Sequence, residues 1–221
     1  MTSKSEIDQE HRDYRQDGYV GLPALFPREV MDTFYARVAA DLNLSQNSGR
    51  FLVQGPLLSK QAIEVYGHAY PPLLNFLWGM TPRVTQVAGC TLLPTYCYLR
   101  IYQQGDICRV HSDRHACEHS LSLTIALSDQ QPWALSVEAA CLDAPTSSVE
   151  SDFGQAKFGS VAMKVGDAVM YQGVHHRHGR LEPNPNQWSA HLFLHWVDPA
   201  GPYKNQAFDR PALEQAGLSP A

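Results

Sequence analysis

Short apolar runs, separated by turn residues, dominate the second half of the chain. Residues 95–102 are rich in aromatic and β-branched side chains, and residues 121–127 alternate larger apolar side chains with small or polar ones. Both patterns predict β-strands, the second with a small, partly polar face that suits a barrel wall turned toward a ligand. About six such strands at short intervals predict an antiparallel sandwich or jelly roll. The other predicted strands cover residues 107–110, 161–165, 168–171 and 188–197.

The first part of the chain follows a helical pattern instead. Residues 28–42 carry apolar side chains at helical spacing, and a second helix is predicted to begin after Pro72. We therefore expect a mainly β fold with N-terminal α-helices, organised as one domain. Its parts are a helical cover over residues 1–90, a β-core over residues 91–198 and a C-terminal tail over residues 199–221.

Composition narrows the class of protein. A chain of 221 residues suits one hydrophobic core, and a net charge of −5 without a Lys/Arg-rich run argues against nucleic-acid or membrane-surface partners. The sequence contains no apolar run long enough for a membrane span. The five cysteines are an odd number without zinc-like spacing, and the N-terminus lacks an apolar signal core. We therefore expect a soluble protein of the reducing cytoplasm, of undetermined oligomeric state.

A candidate metal site consists of His111 and Asp113, followed 65 residues after the aspartate by His178. An imidazole and a carboxylate two positions apart on a strand point to the same face, and an imidazole from a distant strand can complete a 2-His-1-carboxylate facial triad. Such a triad leaves half of the octahedral shell of Fe(II) open, which suits a bidentate 2-oxo acid together with O2. The pattern predicts a non-haem iron oxygenase.

The second histidine ligand has alternatives within residues 174–178. Strand parity places His176 and His178 on one side and His175 on the other, so parity leaves His176 and His178 both open. His175 and His195 are more remote candidates. Eight of the ten histidines lie between positions 111 and 195, and this clustering favours a metal site in that half of the chain.

Four motifs in order resemble a known family. TYxYxRxYxxG, HxDRxxCExS, GDAxxYxGxxxxHxR and FLHxV, spread over about residues 90–198, resemble the bacterial Fe(II)/2-oxoglutarate-dependent oxygenases of the prolyl 4-hydroxylase-like kind. The resemblance implies a double-stranded β-helix (jelly roll) with covering helices. It also implies Fe(II) and 2-oxoglutarate, with hydroxylation of an unactivated C–H bond and release of succinate and CO2. The family spacing maps the distal metal ligand to His178.

The retained carboxylate of Asp113 bears on the reaction type. Related iron halogenases replace this carboxylate with a small residue, which opens a site for chloride. The resemblance therefore implies hydroxylation or desaturation here, with His111, Asp113 and His178 as catalytic metal ligands.

The dicarboxylate cosubstrate requires a fixed cation, because a buried carboxylate without a partner is costly. The resembling family places this cation on the last strand, at positions that correspond here to residues 187–190, which contain no Lys or Arg. Arg180, which shares parity with His178, and Arg100 are the alternatives, with His191 as a weaker third. Arg100 could instead pair structurally with a carboxylate such as Glu118 or Asp106.

Two hydroxyl groups are further candidates for binding 2-oxoglutarate. Tyr102 lies nine residues before His111, close to the position of a tyrosine that binds the cosubstrate in the resembling family. Thr124 is expected to face the same barrel interior. Each of them could equally serve packing alone.

The substrate is either a small metabolite or a peptidyl side chain. A mobile insertion, predicted over residues 143–160 from its Ser, Gly and acidic content, would suit a small molecule as a lid. Two rival functions stay open: a cupin-like metal enzyme that does not use 2-oxoglutarate, and a non-catalytic jelly-roll binding protein. The missing basic residue on the last strand favours the first rival.

Overall fold

Two antiparallel β-sheets form the centre of the molecule. The computed structural model describes residues 3–215 and 217. A seven-stranded sheet has the spatial order β1-β9-β6-β11-β4-β3-β2, and a four-stranded sheet has the order β5-β10-β7-β8. The strands, in chain order, are β1 (Tyr19–Leu22), β2 (Leu52–Val53), β3 (Ala62–Tyr66), β4 (Leu93–Gln103), β5 (Cys108–His111), β6 (His119–Leu127), β7 (Trp133–Glu138), β8 (Phe158–Met163), β9 (Ala168–Tyr171), β10 (His178–Arg180) and β11 (Trp188–Val197).

Helices occupy the N-terminal part and the C-terminal end. A capping box formed by Ser3 and Glu6 begins the first helix, and Gly18, in the left-handed conformation at φ 76°, ends it. Of the described helices, none is both long enough and apolar enough to cross a lipid bilayer. The helices are α1 (Lys4–Asp17), α2 (Arg28–Asp41), α3 (Leu44–Asn47), α4 (Pro72–Ala88) and α5 (Arg210–Gln215), with 3-10 turns at Ser48–Phe51, His115–Cys117 and Lys204–Asp209.

The seven-stranded sheet presents an apolar face to the helices. Four leucines and valines on neighbouring strands are direct cross-strand partners and are all buried. The buried side of α4 packs into the same core, with its apolar residues three or four positions apart. The row of cross-strand partners is Val65, Leu99, Leu192 and Leu123.

The next row along the same strands faces the interior between the sheets and is polar. Arg100 pairs in register with Glu64 on one side and His191 on the other, and His191 pairs with Thr124. Side chains alternate between the two faces of a strand, so each apolar row against the helices implies an interior row one residue away. This alternation brings charged groups into the barrel.

The jelly-roll prediction is confirmed, and the predicted strands are present with small shifts at their ends. Sequence patterns missed β7, and the strand expected around residues 174–178 instead begins at His178, as the three-residue β10. The region predicted as a helical cover also contributes strands β1, β2 and β3 to the larger sheet. The predicted insertion over residues 143–160 ends early, because β8 begins at Phe158, and Glu150 within it pairs through its backbone with Val110.

Candidate metal centre

Strands β5 and β10 bring the predicted metal ligands together. His111 and His178 are direct cross-strand partners, and their ring centroids lie 4.5 Å apart. Asp113 follows β5, where its backbone N–H donates to the Gly173 carbonyl at 2.8 Å. Its carboxylate oxygens lie 3.5 Å from Nε2 of His111 and 3.5 Å from Nε2 of His178. One ligand atom from each of the three residues lies within 4.8 Å of the others.

Backbone carbonyls set the orientation of both imidazole rings. Nδ1 of His111 donates to the Arg109 carbonyl at 2.8 Å, and Nδ1 of His178 donates to the His176 carbonyl at 3.0 Å. A carbonyl only accepts, so each Nδ1 carries a hydrogen, and Nε2 is the atom of each ring that faces Asp113. This second hydrogen bond is the usual support of a metal-binding histidine.

The electrostatics keep Asp113 anionic. Burial alone would raise its pKa, but the charge and hydrogen bonds of His178 and His111 outweigh burial and hold the pKa of Asp113 well below its ordinary value. For His178, burial lowers the pKa and Asp113 reverses the effect, so the net pKa of His178 is raised. An anionic carboxylate between two imidazoles is a donor set suited to a divalent metal ion.

Gly173 and Ser120 position the carboxylate, and sequence reasoning missed both. A Cβ at position 173 would lie 2.4 Å from Oδ2 of Asp113, so no larger residue fits without displacing the carboxylate. The Ser120 hydroxyl lies 3.4 Å from the same oxygen. The glycine stands in the YxGxxxxH part of the sequence, which was the one available signal.

The alternative histidines lie in other surroundings. Nδ1 of His176 bonds to the Glu138 carbonyl, and its Nε2 packs against Gly18, where a Cβ would lie only 2.1 Å away. Nδ1 of His175 bonds to the Leu142 carbonyl. Neither ring belongs to the three-residue group.

His195, considered remote from sequence, lies beside Asp113. With Cys117 and Asp113 it forms a second group whose ligand atoms lie within 4.8 Å of one another. Its Nδ1 is 2.9 Å from the Ser120 hydroxyl. Burial lowers the pKa of His195 to about 4, so the ring is neutral at physiological pH.

The three metal-site residues line a small cavity of about 20 Å³, which is also lined by Arg180. Arg180 is 1% exposed and donates to the Trp133 carbonyl at 2.9 Å and to the Ser122 hydroxyl at 3.3 Å. Within the described residues no carboxylate pairs with it, and its Nε has no partner. Burial lowers the pKa of Arg180. A buried guanidinium without a counter-charge is costly, so the cavity favours an anionic ligand.

Arg100 lines the same cavity, but its charge is balanced. Its guanidinium forms a buried ion pair with Glu64, with Nε donating at 2.6 Å, and Nη1 donates to the Tyr102 hydroxyl at 3.1 Å. The structural pairing of Arg100 with a carboxylate is thus present, but the partner is Glu64 and neither Glu118 nor Asp106. Glu118 accepts from the Asp198 backbone, and Asp106 accepts from the backbone of residues 59, 60 and 107.

Of the two predicted hydroxyl donors, only Tyr102 lines the cavity. The Thr124 side chain instead lies 3.3 Å from Nδ1 of His191, which also accepts from Nη2 of Arg180 at 3.2 Å. Burial and the neighbouring Arg180 hold the pKa of His191 well below its ordinary value. The neutral His191 therefore supports Arg180, and Thr124 faces the barrel interior as expected but contacts His191 and does not line the cavity.

By sequence, the chain matches no family model and no curated protein. Its structure is similar to that of SnoN from nogalamycin biosynthesis, an epimerase in complex with Fe3+, alpha ketoglutarate and nogalamycin RO: 12% identity, 89% of this chain, 85% of that chain, TM-score 0.66. A Pseudomonas putida prolyl-4-hydroxylase is 12% identical over 86% and 98% of the two chains, with TM-score 0.56. EctD from S. alaskensis with 2-oxoglutarate and 5-hydroxyectoine is 15% identical over 86% and 75%, also with TM-score 0.56. The chain thus has the double-stranded β-helix fold of the 2-oxoglutarate- and iron-dependent oxygenases.

Proposed function

We propose that the protein is an Fe(II)- and 2-oxoglutarate-dependent dioxygenase that hydroxylates an unactivated C–H bond and releases succinate and CO2. One observation carries the proposal: His111, Asp113 and His178 converge in the same cavity as a buried arginine, Arg180, that lacks a counter-charge. A metal ion would be bound by the three ligand residues, and an anionic ligand would balance the charge of Arg180. Fe(II) and 2-oxoglutarate are proposed as the two ligands because similar folds bind iron with alpha ketoglutarate, or bind 2-oxoglutarate.

The donor set fits Fe(II). Two neutral imidazole nitrogens and one carboxylate, all supplied from one side, are the ligands of the facial triad. The bound metal would supply the activation of O2 coupled to oxidative decarboxylation of the 2-oxo acid. The residues of the chain hold the donors in place: the Arg109 and His176 carbonyls orient the rings, and Gly173 makes room for Asp113.

Arg180 is the residue that we assign to the distal carboxylate of 2-oxoglutarate. Its planar guanidinium stacks over the Trp133 ring at 4.7 Å, and His191 accepts from Nη2, so its position is set before a ligand arrives. A bidentate arginine–carboxylate contact then neutralises both charges. Arg100 is a weaker choice because Glu64 already neutralises it, and Tyr102 contributes as a wall of the cavity.

The substrate is a small molecule or a peptidyl side chain, with O2 as the second substrate. Hydroxylation is favoured over halogenation because the Asp113 carboxylate occupies the position that a halide would need. We place the protein in the cytoplasm, where Fe(II) and the buried thiols of Cys97, Cys108 and Cys117 remain reduced.

The test is succinate formation from 2-oxoglutarate, measured together with O2 consumption. We expect slow turnover without added substrate, dependent on both Fe(II) and 2-oxoglutarate, and its loss in His178→Ala. His176→Ala serves as the matched control and keeps turnover. If the iron-loaded protein does not bind 2-oxoglutarate in calorimetry, the cupin-like alternative replaces this proposal.

A further inference from the structure

A second group of potential metal ligands lies beside the first and shares Asp113 with it. The Cys117 thiol, an imidazole nitrogen of His195 and a carboxylate oxygen of Asp113 all lie within 4.8 Å of one another. Cys117 ends the 3-10 turn that follows Asp113, and His195 lies on β11. Neither Cys117 nor His195 belongs to the group of His111 and His178, so the proposed function gives them no role.

Burial distinguishes this second group from a chance cluster on the surface. The residue exposure is 1% for Cys117 and 2% for His195. Nε2 of His195 has no hydrogen-bond partner within residues 3–215 and 217. Buried polar atoms in folded proteins are almost always paired, so an unpaired ring nitrogen in a group with a thiol and a carboxylate indicates a missing ligand.

Hydrogen bonds around Ser120 leave Nε2 of His195 as the metal-binding nitrogen. The Ser120 hydroxyl donates toward the Cys117 carbonyl at 3.3 Å and toward Oδ2 of Asp113 at 3.4 Å, and both of these oxygens only accept. Nδ1 of His195 therefore donates to the Ser120 hydroxyl at 2.9 Å, and Nε2 of the neutral ring keeps its lone pair. A histidine that binds a metal ion is usually held by such a hydrogen bond from its other nitrogen.

The donors of the second group differ in kind from those of the first. Thiolate sulfur is a soft ligand, so one thiolate, one imidazole and one carboxylate suit Zn(II) or another thiophilic divalent ion. Zinc binds such ligands at about 2.0–2.3 Å, so small side-chain movements would bring atoms that lie within 4.8 Å of one another onto one ion. The Tyr96 hydroxyl lies 3.1 Å from the Cys117 sulfur, and it would donate to the thiolate, which only accepts.

We propose that Cys117, His195 and Asp113 form a second metal site, which binds a thiophilic divalent ion such as Zn(II) and shares Asp113 with the first site. A carboxylate has two oxygens and can contact two neighbouring ions, which in two-metal sites are about 3.5–4 Å apart. The second site requires neither iron nor 2-oxoglutarate, so it goes beyond the proposed function. Its ligands come from two distant segments of the chain, which explains why the spacing of the cysteines shows no zinc pattern.

The experiment titrates Co(II), a coloured substitute for Zn(II), into the metal-free protein without oxygen. A thiolate bound to Co(II) produces a charge-transfer absorption band in the near ultraviolet, which imidazole and carboxylate ligands do not produce. We expect this band in the wild type and in His178→Ala, which removes a ligand of the first site alone. Cys117→Ala should abolish the band. His195→Phe keeps a ring stacked on Tyr96 but removes a direct ligand, so it should weaken the band-forming site by more than about 100-fold.

Cys108→Ala is the matched control for the thiol. Cys108 is also buried and lines the cavity of the first site, but it belongs to neither group of ligand atoms. This variant should keep the band. Binding of Mn(II), which favours oxygen and nitrogen ligands, should be unchanged in Cys117→Ala and so show that the variant is folded and its first site intact.

The outcomes separate the second site from the proposed function. Absence of the band in the wild type, or its persistence in Cys117→Ala, would overturn the inference and leave the proposed function standing. A band in the wild type that is lost in Cys117→Ala, in a protein that binds no 2-oxoglutarate, would support the second site and contradict the proposed function.

Discussion

His111 and His178 face each other across the β5–β10 pair, and each ring donates its Nδ1 hydrogen to the carbonyl two residues earlier in the chain. The two rings are thus oriented by the same local hydrogen bond on two antiparallel strands. The consequence is that both Nε2 atoms point toward Asp113 without support from any distant side chain.

Removing His178 should abolish metal binding at this site. Outer partners of metal ligands typically contribute about 10- to 100-fold in affinity, so loss of a direct ligand in His178→Ala should cost more than about 100-fold. The measurement is a titration with Fe(II) or with Mn(II) as a stable substitute. His176→Ala is the control, since its ring contacts Gly18 instead. Loss of metal in His176→Ala with retention in His178→Ala would show that the assignment is wrong.

Gly173→Ala should weaken metal binding although none of the three metal ligands is replaced. The new methyl group would lie 2.4 Å from Oδ2 of Asp113 and must push the carboxylate away from the imidazoles. We expect a loss of metal affinity of about tenfold or more, comparable to loss of an outer partner. Gly79→Ala is the matched control, because nothing lies within 4 Å of its new Cβ in the interior of α4. It should stabilise the protein by about 0.5–1 kcal/mol. Equal metal affinities in the two variants would contradict the geometric argument.

Arg180 and Arg100 should respond in opposite ways to replacement by methionine. Arg180→Met removes a buried charge without a counter-charge, so we expect the unfolding free energy of the metal-free protein to stay level or rise. The same variant should weaken 2-oxoglutarate binding by roughly 1.5–3 kcal/mol, about 10- to 150-fold in Kd.

Arg100→Met is the comparison and leaves Glu64 buried without its partner. We expect a loss of about 3–5 kcal/mol in unfolding free energy, as for other broken buried pairs. Urea unfolding and calorimetry on both variants measure the two effects. A larger loss of 2-oxoglutarate affinity in Arg100→Met than in Arg180→Met would reverse our assignment of the distal carboxylate.

Stability should fall at acid pH partly through His119. Burial lowers the pKa of His119 to about 4 from its ordinary 6.5, and the Tyr14 hydroxyl lies 2.7 Å from Nδ1 of this ring. The unfolded chain therefore binds a proton first, so this contribution is complete above about pH 6.5 and is lost as the pH falls toward 4. The slope is about 1.4 kcal/mol per pH unit for one group. Unfolding free energies measured at several pH values in this range should decline less steeply in His119→Gln. Identical slopes in both proteins would rule out this contribution.

Local sequence patterns were sufficient for the strands and for part of the metal site. The aromatic and β-branched content of residues 95–102 and 188–197 predicted β4 and β11, because strand propensity and two-residue alternation act within one segment. The same alternation predicted His111 and Asp113 on one face, and the two do lie together, although Asp113 follows the end of β5 and its backbone N–H donates to the Gly173 carbonyl. These features depend only on neighbours in the chain.

The alternation of side chains along a strand could not decide whether His176 or His178 is the second histidine ligand, because this alternation holds only within a strand. Strand β10 begins at His178, whereas His176 precedes it and turns toward Gly18. The choice between them was made by the register of β10 against β5, a contact between segments far apart in sequence.

The charge balance of the arginines was likewise decided by tertiary structure. Arg100 and Arg180 carry the same group and both lie on interior faces, and nothing local in the sequence distinguishes them. Pairing of β3 with β4 places Glu64 opposite Arg100, while Arg180 lies among Trp133, Ser122 and His191. Sequence alone determined which residues face the interior, because that depends on backbone alternation. Folding decided which of those charges stays uncompensated, because the energy of a buried charge depends on neighbours that only strand pairing brings close.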